Sequence, residues 1–481
     1  MKYKWTVLTV TTVGVLMSGI DSRIVIVGLP QVAAALHADA EQAIWLTQAY
    51  ALGSTVALLL IGRVTDMIGR VKVYNLGFAV FTLGSALTSI ATGPEMAILF
   101  RGVQGLGSAM LFTNSIALIA DSTPTQELGL SLGINQLAFR FGAMAGLTIS
   151  GIILAVLDWR ALFYINVPIG IFGTFWAHKR LKETAQTEKG APFDWIGFVT
   201  FTTFITTFLF SLTYAAYGLA ESKLVAALMA TSMVSLAAFI WYERKYPYPL
   251  LDLSLLKIRE FTGGVIAQLL NAIAWGAVIL LLSLYFQLVQ GLSPFDAGIR
   301  ILPFEMAFLL FGPLSGRFSD KYGQMPFATS GLAVTSVSLL LLSTTTPDTS
   351  YLQLASYMAL MGAGIGLFAS PNISSIMGSV PPGRRGIASA FRATFFNVGF
   401  TISLNLSILI MSSIVPYSVV STLISSANPA SITALDRSLF SAALDRTYLW
   451  MAVVNTLAIL PSLLRGKRPD HAPSPGTSAE G

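Results

Sequence analysis

Gly62-Arg63-Val64-Thr65-Asp66-Met67-Ile68-Gly69 closes one long apolar run, and 254 residues further on Gly316-Arg317-Phe318-Ser319-Asp320-Lys321-Tyr322-Gly323 closes another. Gly, Arg, Asp and Gly stand at the same places in both copies, and Thr65 is matched by Ser319. A polar turn at the end of a helical hairpin explains one copy. Two copies in register imply two homologous halves, an organisation common among secondary transporters. The glycines permit a tight turn and a close approach of helix ends. Asp66 is placed to accept charge-assisted hydrogen bonds from Arg63, Arg70 or a helix N-terminus. Each copy therefore predicts a charged latch that ties two helices together and releases them.

The composition around these loops is that of a membrane protein. The 481 residues are 54% hydrophobic and 11% charged, with a mean hydropathy of +0.70, where a soluble domain carries about 25% charged residues. A soluble enzyme and a disordered scaffold are excluded. The net charge of +6 is read as loop orientation rather than nucleic-acid binding. Cysteine is absent, and His37, His178 and His471 lie too far apart in sequence character to form a metal site. The first apolar run, Trp5 to Pro30, is too long for a signal peptide, contains Asp21 and Arg23, and reads as a membrane helix.

At about 20 apolar residues per crossing, the apolar windows resolve into fourteen spans: 5–35, 43–61, 73–92, 95–120, 128–155, 161–180, 194–216, 222–241, 260–290, 296–316, 326–345, 351–377, 386–415 and 447–465. The segments 194–216 and 222–241 also fit one interfacial hairpin. With the N-terminus inside, 20 of the 29 lysines and arginines fall on the cytoplasmic side, as the positive-inside rule requires, and only Arg160, Lys223, Arg437 and Arg446 fall outside. Residues 416–446 read as one long outer loop, with 435–446 as a short amphipathic surface helix, and the Pro/Ser/Gly-rich tail reads as disordered.

The G-R-x-x-D-x-x-G-R pattern resembles the signature loop of the major facilitator superfamily. Its second copy follows the tenth helix rather than the eighth, which resembles the fourteen-helix drug:proton antiporter branch. The resemblance implies an all-α polytopic protein: a six-helix bundle over 1–185, two inserted helices within 186–250, a second six-helix bundle over 251–466, and a tail at 467–481.

Ionisable side chains in the bilayer cost at least about 2.5–3.5 kcal/mol each, so those inside spans are functional candidates: Asp21, Arg23, Arg101, Arg140, Glu305 and Arg392, with Arg300 nearer an end. Asp21 and Arg23 are two apart, so on a helix they face different ways. Asp21 precedes an apolar run ending in Leu29-Pro30 and resembles the branch's first-helix motif, with Arg23 and Ile26 in place of its usual Thr and Asn. Arg101-Gly102-Val103-Gln104-Gly105-Leu106-Gly107 resembles R-x-x-Q-G-x-G, which implies that Arg101 helps couple proton movement to the conformational switch; the alternative is an arginine capping neighbouring carbonyls. In the fifth span Gly146 and Gly151 match the antiporter pattern while Leu147 and Ser150 replace its Pro and a Gly. Trp159-Arg160-Ala161-Leu162-Phe163-Tyr164-Ile165-Asn166-Val167-Pro168-Ile169-Gly170 resembles W-R-x-x-F-x-x-N-x-P-x-G.

These residues predict proton coupling through Asp21, Arg101 and Glu305, and a substrate cavity lined by Asp21, Gln104, Arg140, Glu305 and Arg392. Structural alternatives stand beside them: a carboxylate bonded to neighbouring helices for Asp21, and a partner of Arg300 or Arg392 for Glu305. The predicted function is proton-coupled efflux of lipophilic, cationic drugs by alternating access. The alternative is a symporter or facilitator for a small, possibly anionic, metabolite, to which Arg140 and Arg392 and the missing proline at Leu147 point. No P-loop and no convergent catalytic set is present, so an enzyme is excluded, and no cofactor is expected. Partners are the small-molecule substrate, protons and the lipid bilayer, with no nucleic acid. The family implies a monomer in the cell membrane with both termini cytoplasmic.

Overall fold

The computed structural model describes residues 2–183, 193–217, 222–381, 384–416 and 433–465. Every regular element among them is helical. The helices are α1 (Lys2–Ala35), α2 (Ala40–Ile68), α3 (Arg70–Ser89), α4 (Pro94–Ser122), α5 (Thr125–Val156) and α6 (Asn166–Arg180, preceded by the single turn Ala161–Tyr164). Then come α7 (Trp195–Tyr217), α8 (Ser222–Glu243) and α9 (Arg259–Trp275, prolonged by Val278–Leu284 and a π-helical turn, Tyr285–Val289). The rest are α10 (Pro294–Tyr322), α11 (Gln324–Leu342), α12 (Tyr351–Gly378), α13 (Arg385–Ser412) and α14 (Ala434–Leu457, prolonged by Ile459–Leu463). Among the described residues ten are long and apolar enough on their own to cross a bilayer, α7 and α8 among them. The other helices are α2, α3, α6 and α14.

The sequence repeat is a structural one. The bounds of α10 are those of α2 displaced by 254 residues. Each helix ends on a glycine in a conformation closed to side chains, Gly69 at φ 105°, ψ 147° and Gly323 at φ 95°, ψ 151°. The loops are shorter than the sequence implied. The helix runs through Gly62, Arg63 and Asp66, and through Gly316, Arg317 and Asp320, so only the second glycine of each copy makes the turn. A second correction concerns the end of the chain. Residues 435–446 are the first half of α14 rather than a separate surface helix. Thr433 caps it in a reciprocal pair with Asp436, and Phe440, Ala443, Leu444 and Tyr448 form one buried stripe into the span.

Within the first bundle α1 packs on α5, and α4 on both α2 and α3; within the second α12 packs on both α10 and α11, and α9 on α13. The bundles meet along α5–α10, α2–α13 and α1–α9. We call the face where α1 begins the near face and its opposite the far face. At the far face the seam is tight. A Cβ on Gly151 of α5 would lie 2.2 Å from Phe295 Cα, and one on Gly298 of α10 would lie 2.4 Å from the Leu147 carbonyl oxygen. There Gln287 also donates to the Val27 carbonyl at 3.0 Å. The α7–α8 pair seats on α13 and α2, where Trp45 and Phe210 stack at 4.7 Å and Thr213 donates to Asn405 at 2.9 Å. The expected boundary at 185/186 and the tail 467–481 lie outside the described residues.

Candidate functional site

Asp21 is enclosed by the first bundle and carries no solvent exposure. Its Oδ2 accepts from Arg101 Nη1 at 2.7 Å, and its Oδ1 accepts from Gln104 Nε2 at 2.8 Å and Asn166 Nδ2 at 2.9 Å. Ser85 Oγ receives both amides, at 3.1 and 3.2 Å, and itself donates to the Phe163 carbonyl at 2.9 Å. Arg101 also donates to Gln104 Oε1 at 2.7 Å and, through Nε, to the Leu46 carbonyl at 3.1 Å, with its guanidinium over the Tyr50 ring at 4.5 Å. Helices α1 to α4 and α6 thus converge on one carboxylate. The convergence needs Gly105, where a Cβ would sit 2.1 Å from the Tyr50 carbonyl oxygen and hold α4 away from α2. Both oxygens of Asp21 are met by donors, so the arrangement ties the helices together through a buried, hydrogen-bonded ion pair.

The second constellation lies on the seam. Arg23 leaves α1 on another side from Asp21 and places Nε 3.5 Å from Glu305 Oε1 of α10. Both residues are buried, and neither Glu305 oxygen has a hydrogen-bond partner among the described residues. The partner of Glu305 is therefore Arg23, not Arg300 or Arg392. Arg300 instead donates to Gln290 at 3.1 Å. Arg140 of α5 reaches across the seam and lies over the Phe308 ring of α10 at 3.6 Å. Arg392 of α13 is half-buried, and its Nε has no partner among the described residues. One and two turns along the same face of α13, Phe396 and Phe400 stand 6.4 and 5.8 Å from Trp275 of α9, which also faces Phe304 at 6.1 Å.

Of the predicted site residues, Asp21, Arg101 and Gln104 are brought together inside one bundle. Glu305 and Arg140 meet between the bundles with Arg23, and Arg392 stands on the seam helix α13. At the near face, Arg70 pairs with Asp121 of α4, and the two oxygens of Glu183 accept from the backbone of Arg70 at 3.0 Å and Val71 at 2.9 Å, capping α3. Arg317 and Asp320 are exposed and make no hydrogen bond or ion pair among the described residues; the side chains of Arg63 and Asp66 lie outside them. Ser85, Tyr50, Trp275 and Glu183 carry no pattern that marks them in sequence. Asn166 does, as the Asn of the W-R-x-x-F-x-x-N motif.

A family model described as Major Facilitator Superfamily matches residues 11–404 and 264–458. The chain belongs to the major facilitator superfamily. Among curated relatives, the riboflavin transporter RibZ of Clostridioides difficile is 32% identical over 402 residues, covering 84% of this chain and 87% of the relative. The multidrug resistance protein Stp of Mycobacterium tuberculosis is 28% identical over 82% of this chain and 73% of its own. The multidrug efflux pump LfrA of Mycolicibacterium smegmatis is 28% identical over 82% and 78%. Of solved structures, a bacterial homologue of the human lysosomal transporter Spinster superposes with a TM-score of 0.67 at 15% identity, covering 96% of this chain and 97% of that one. The xylose transporter XylE from E. coli gives 0.60 at 15%, with the same coverage. This member of the superfamily is thus a multi-pass membrane transporter of small molecules, not an enzyme, and its drug-efflux relatives accord with the fourteen-helix branch.

Proposed function

We propose that the protein exports lipophilic compounds across the cell membrane in exchange for protons. It acts as a monomer, with the near face and both termini cytoplasmic. The bundles 1–185 and 251–466 rock about the seam, and the two helices of 186–250 ride on the second bundle and α2. The observation that carries this is Glu305, a buried acid on the seam whose oxygens have no hydrogen-bond partner among the described residues and whose charge is met by Arg23 across the bundles. Protonation of Glu305 cancels that attraction, so proton binding and separation of the bundles favour one another. Asp21 and Arg101 hold the first bundle as a rigid body while this happens. The multidrug relatives support export of drug-like compounds.

The test is substrate-triggered proton movement in proteoliposomes under an imposed pH gradient, comparing wild type with Glu305→Gln and Asp21→Asn. Proton flux lost in Glu305→Gln, with substrate binding retained, supports antiport; transport without proton movement refutes it. A second reading, transport of a heteroaromatic metabolite, is favoured by the 32% identity to a riboflavin transporter. Riboflavin as the coupled substrate in the same assay would select it.

A further inference from the structure

We propose that the seam selects lipophilic aromatic anions: Arg140 and Arg392 receive the negative group while the ring system lies against Trp275, Phe308 and Phe396. This rests on the export reading above and names its substrate class, and it reverses the cationic cargo expected from sequence. The charges decide it. Three arginines, Arg23, Arg140 and Arg392, stand well inside spans on helices of the seam, where Glu305 lies 3.5 Å from Arg23 and also attracts Arg140. Neither Arg140 nor Arg392 makes an ion pair among the described residues, and both keep partial exposure. Three guanidiniums against one carboxylate leave an excess of positive charge in low dielectric, which attracts an anion and repels a cation.

The aromatic side of the site has the same polarity. Arg140 stacks on Phe308 at 3.6 Å, leaving its N–H edge free for an oxyanion. Arg392 lies one helical turn from Phe396, and Phe396 adjoins Trp275 at 6.4 Å. The Trp275 indole N–H is buried without a partner among the described residues, so it is a further donor and not an acceptor. The unsatisfied groups of Trp275 and Arg392 are thus donors only, which a carboxylate, sulfonate or phenolate completes and an ammonium does not.

Two pyrene probes, one with a butanoate arm and one with a butyl-trimethylammonium arm, share the ring and differ in charge. Equilibrium binding to the purified protein in detergent, by fluorescence anisotropy, is read first. The expected result is at least about tenfold tighter binding of the anion, a loss of about tenfold in Arg392→Gln and in Arg140→Gln, and no weakening of the cation in either variant. Arg392→Lys, which keeps the charge, retains most of the preference and excludes misfolding as the cause. Equal or tighter binding of the cation, no measurable binding of the anion, or unchanged anion binding in both glutamine variants overturns the proposal. Proton flux measured in proteoliposomes with the same probes separates the two claims. Anion preference without proton movement refutes the antiport alone, and proton-coupled transport of the cation alone refutes the anion site and keeps the antiport.

Discussion

Alanine at the two turn glycines perturbs the same backbone in two different surroundings. Gly323 at φ 95° and Gly69 at φ 105° both occupy a region open essentially to glycine, and a side chain there costs about 1–3 kcal/mol. At Gly323 that strain is the whole cost, because a Cβ would meet only Pro326 Cδ at 3.9 Å. At Gly69 the Cβ would lie 2.4 Å from Glu183 Oε2, so the carboxylate must withdraw from the amides it caps at 3.0 and 2.9 Å. Losing that exposed cap adds about 1–2 kcal/mol. Gly69→Ala is therefore expected to be the more destabilising of the two by that amount. Glu183→Ala should cost the same amount in wild type and in Gly323→Ala, but almost nothing in Gly69→Ala. Equilibrium unfolding in mixed detergent–SDS micelles, followed by helical circular dichroism, reads all of these. Equal losses in the two glycine variants, or a Glu183→Ala cost that is the same in every background, would refute the account.

Asp21→Asn leaves the buried Arg101 charge without its counter-ion and is expected to cost about 3–5 kcal/mol, with Asp21→Asn/Arg101→Gln recovering most of it; a double-mutant cycle by the same unfolding assay checks this. Gly298→Val cannot close the far face, since even its Cβ falls 2.4 Å from the Leu147 carbonyl oxygen. Transport should be lost while a cysteine placed at Gln31 becomes accessible to maleimide, a clean readout because the chain has no cysteine of its own. Burial raises the pKa of Asp194, at the start of α7, above the usual carboxylate value. Its folded state therefore holds the proton more tightly than the unfolded chain does, so stability is greatest below the ordinary carboxylate range and falls as pH rises through the raised value. Asp194→Asn should flatten that slope in melting temperatures measured from pH 4 to 8.

The helices were legible because apolar runs long enough to cross a bilayer are broken by glycine, proline and charge, and those breaks survive in the fold to within a few residues. Where reading failed, the cause was physical. The first half of α14 carries Asp436, Arg437, Asp445 and Arg446, which outweigh the buried stripe of Phe440, Leu444 and Tyr448 in any average of hydropathy. The latch copies looked like loops because charges cluster at helix ends, yet a helix needs only one residue to turn if that residue is glycine. At the candidate site, residue types could be singled out but their partners could not. Arg23 meets Glu305, and Asp21 meets Arg101, through a packing of helices that no local pattern encodes. Asn166 was visible in its motif, while Ser85 and Trp275 acquire meaning only from what surrounds them.

The two turns also record what duplication preserves. Both kept the glycine, since no other residue adopts that backbone, whereas the ties around it parted company. Arg70 is bound to Asp121 and Glu183 guards the amides in the first half, while the second half has Gln324 at the place of Arg70 and, among the described residues, only Pro326 within 4 Å of a Cβ on its glycine. In this chain the shape of the hinge is the inherited part, and its wiring is what each half has been free to rewrite.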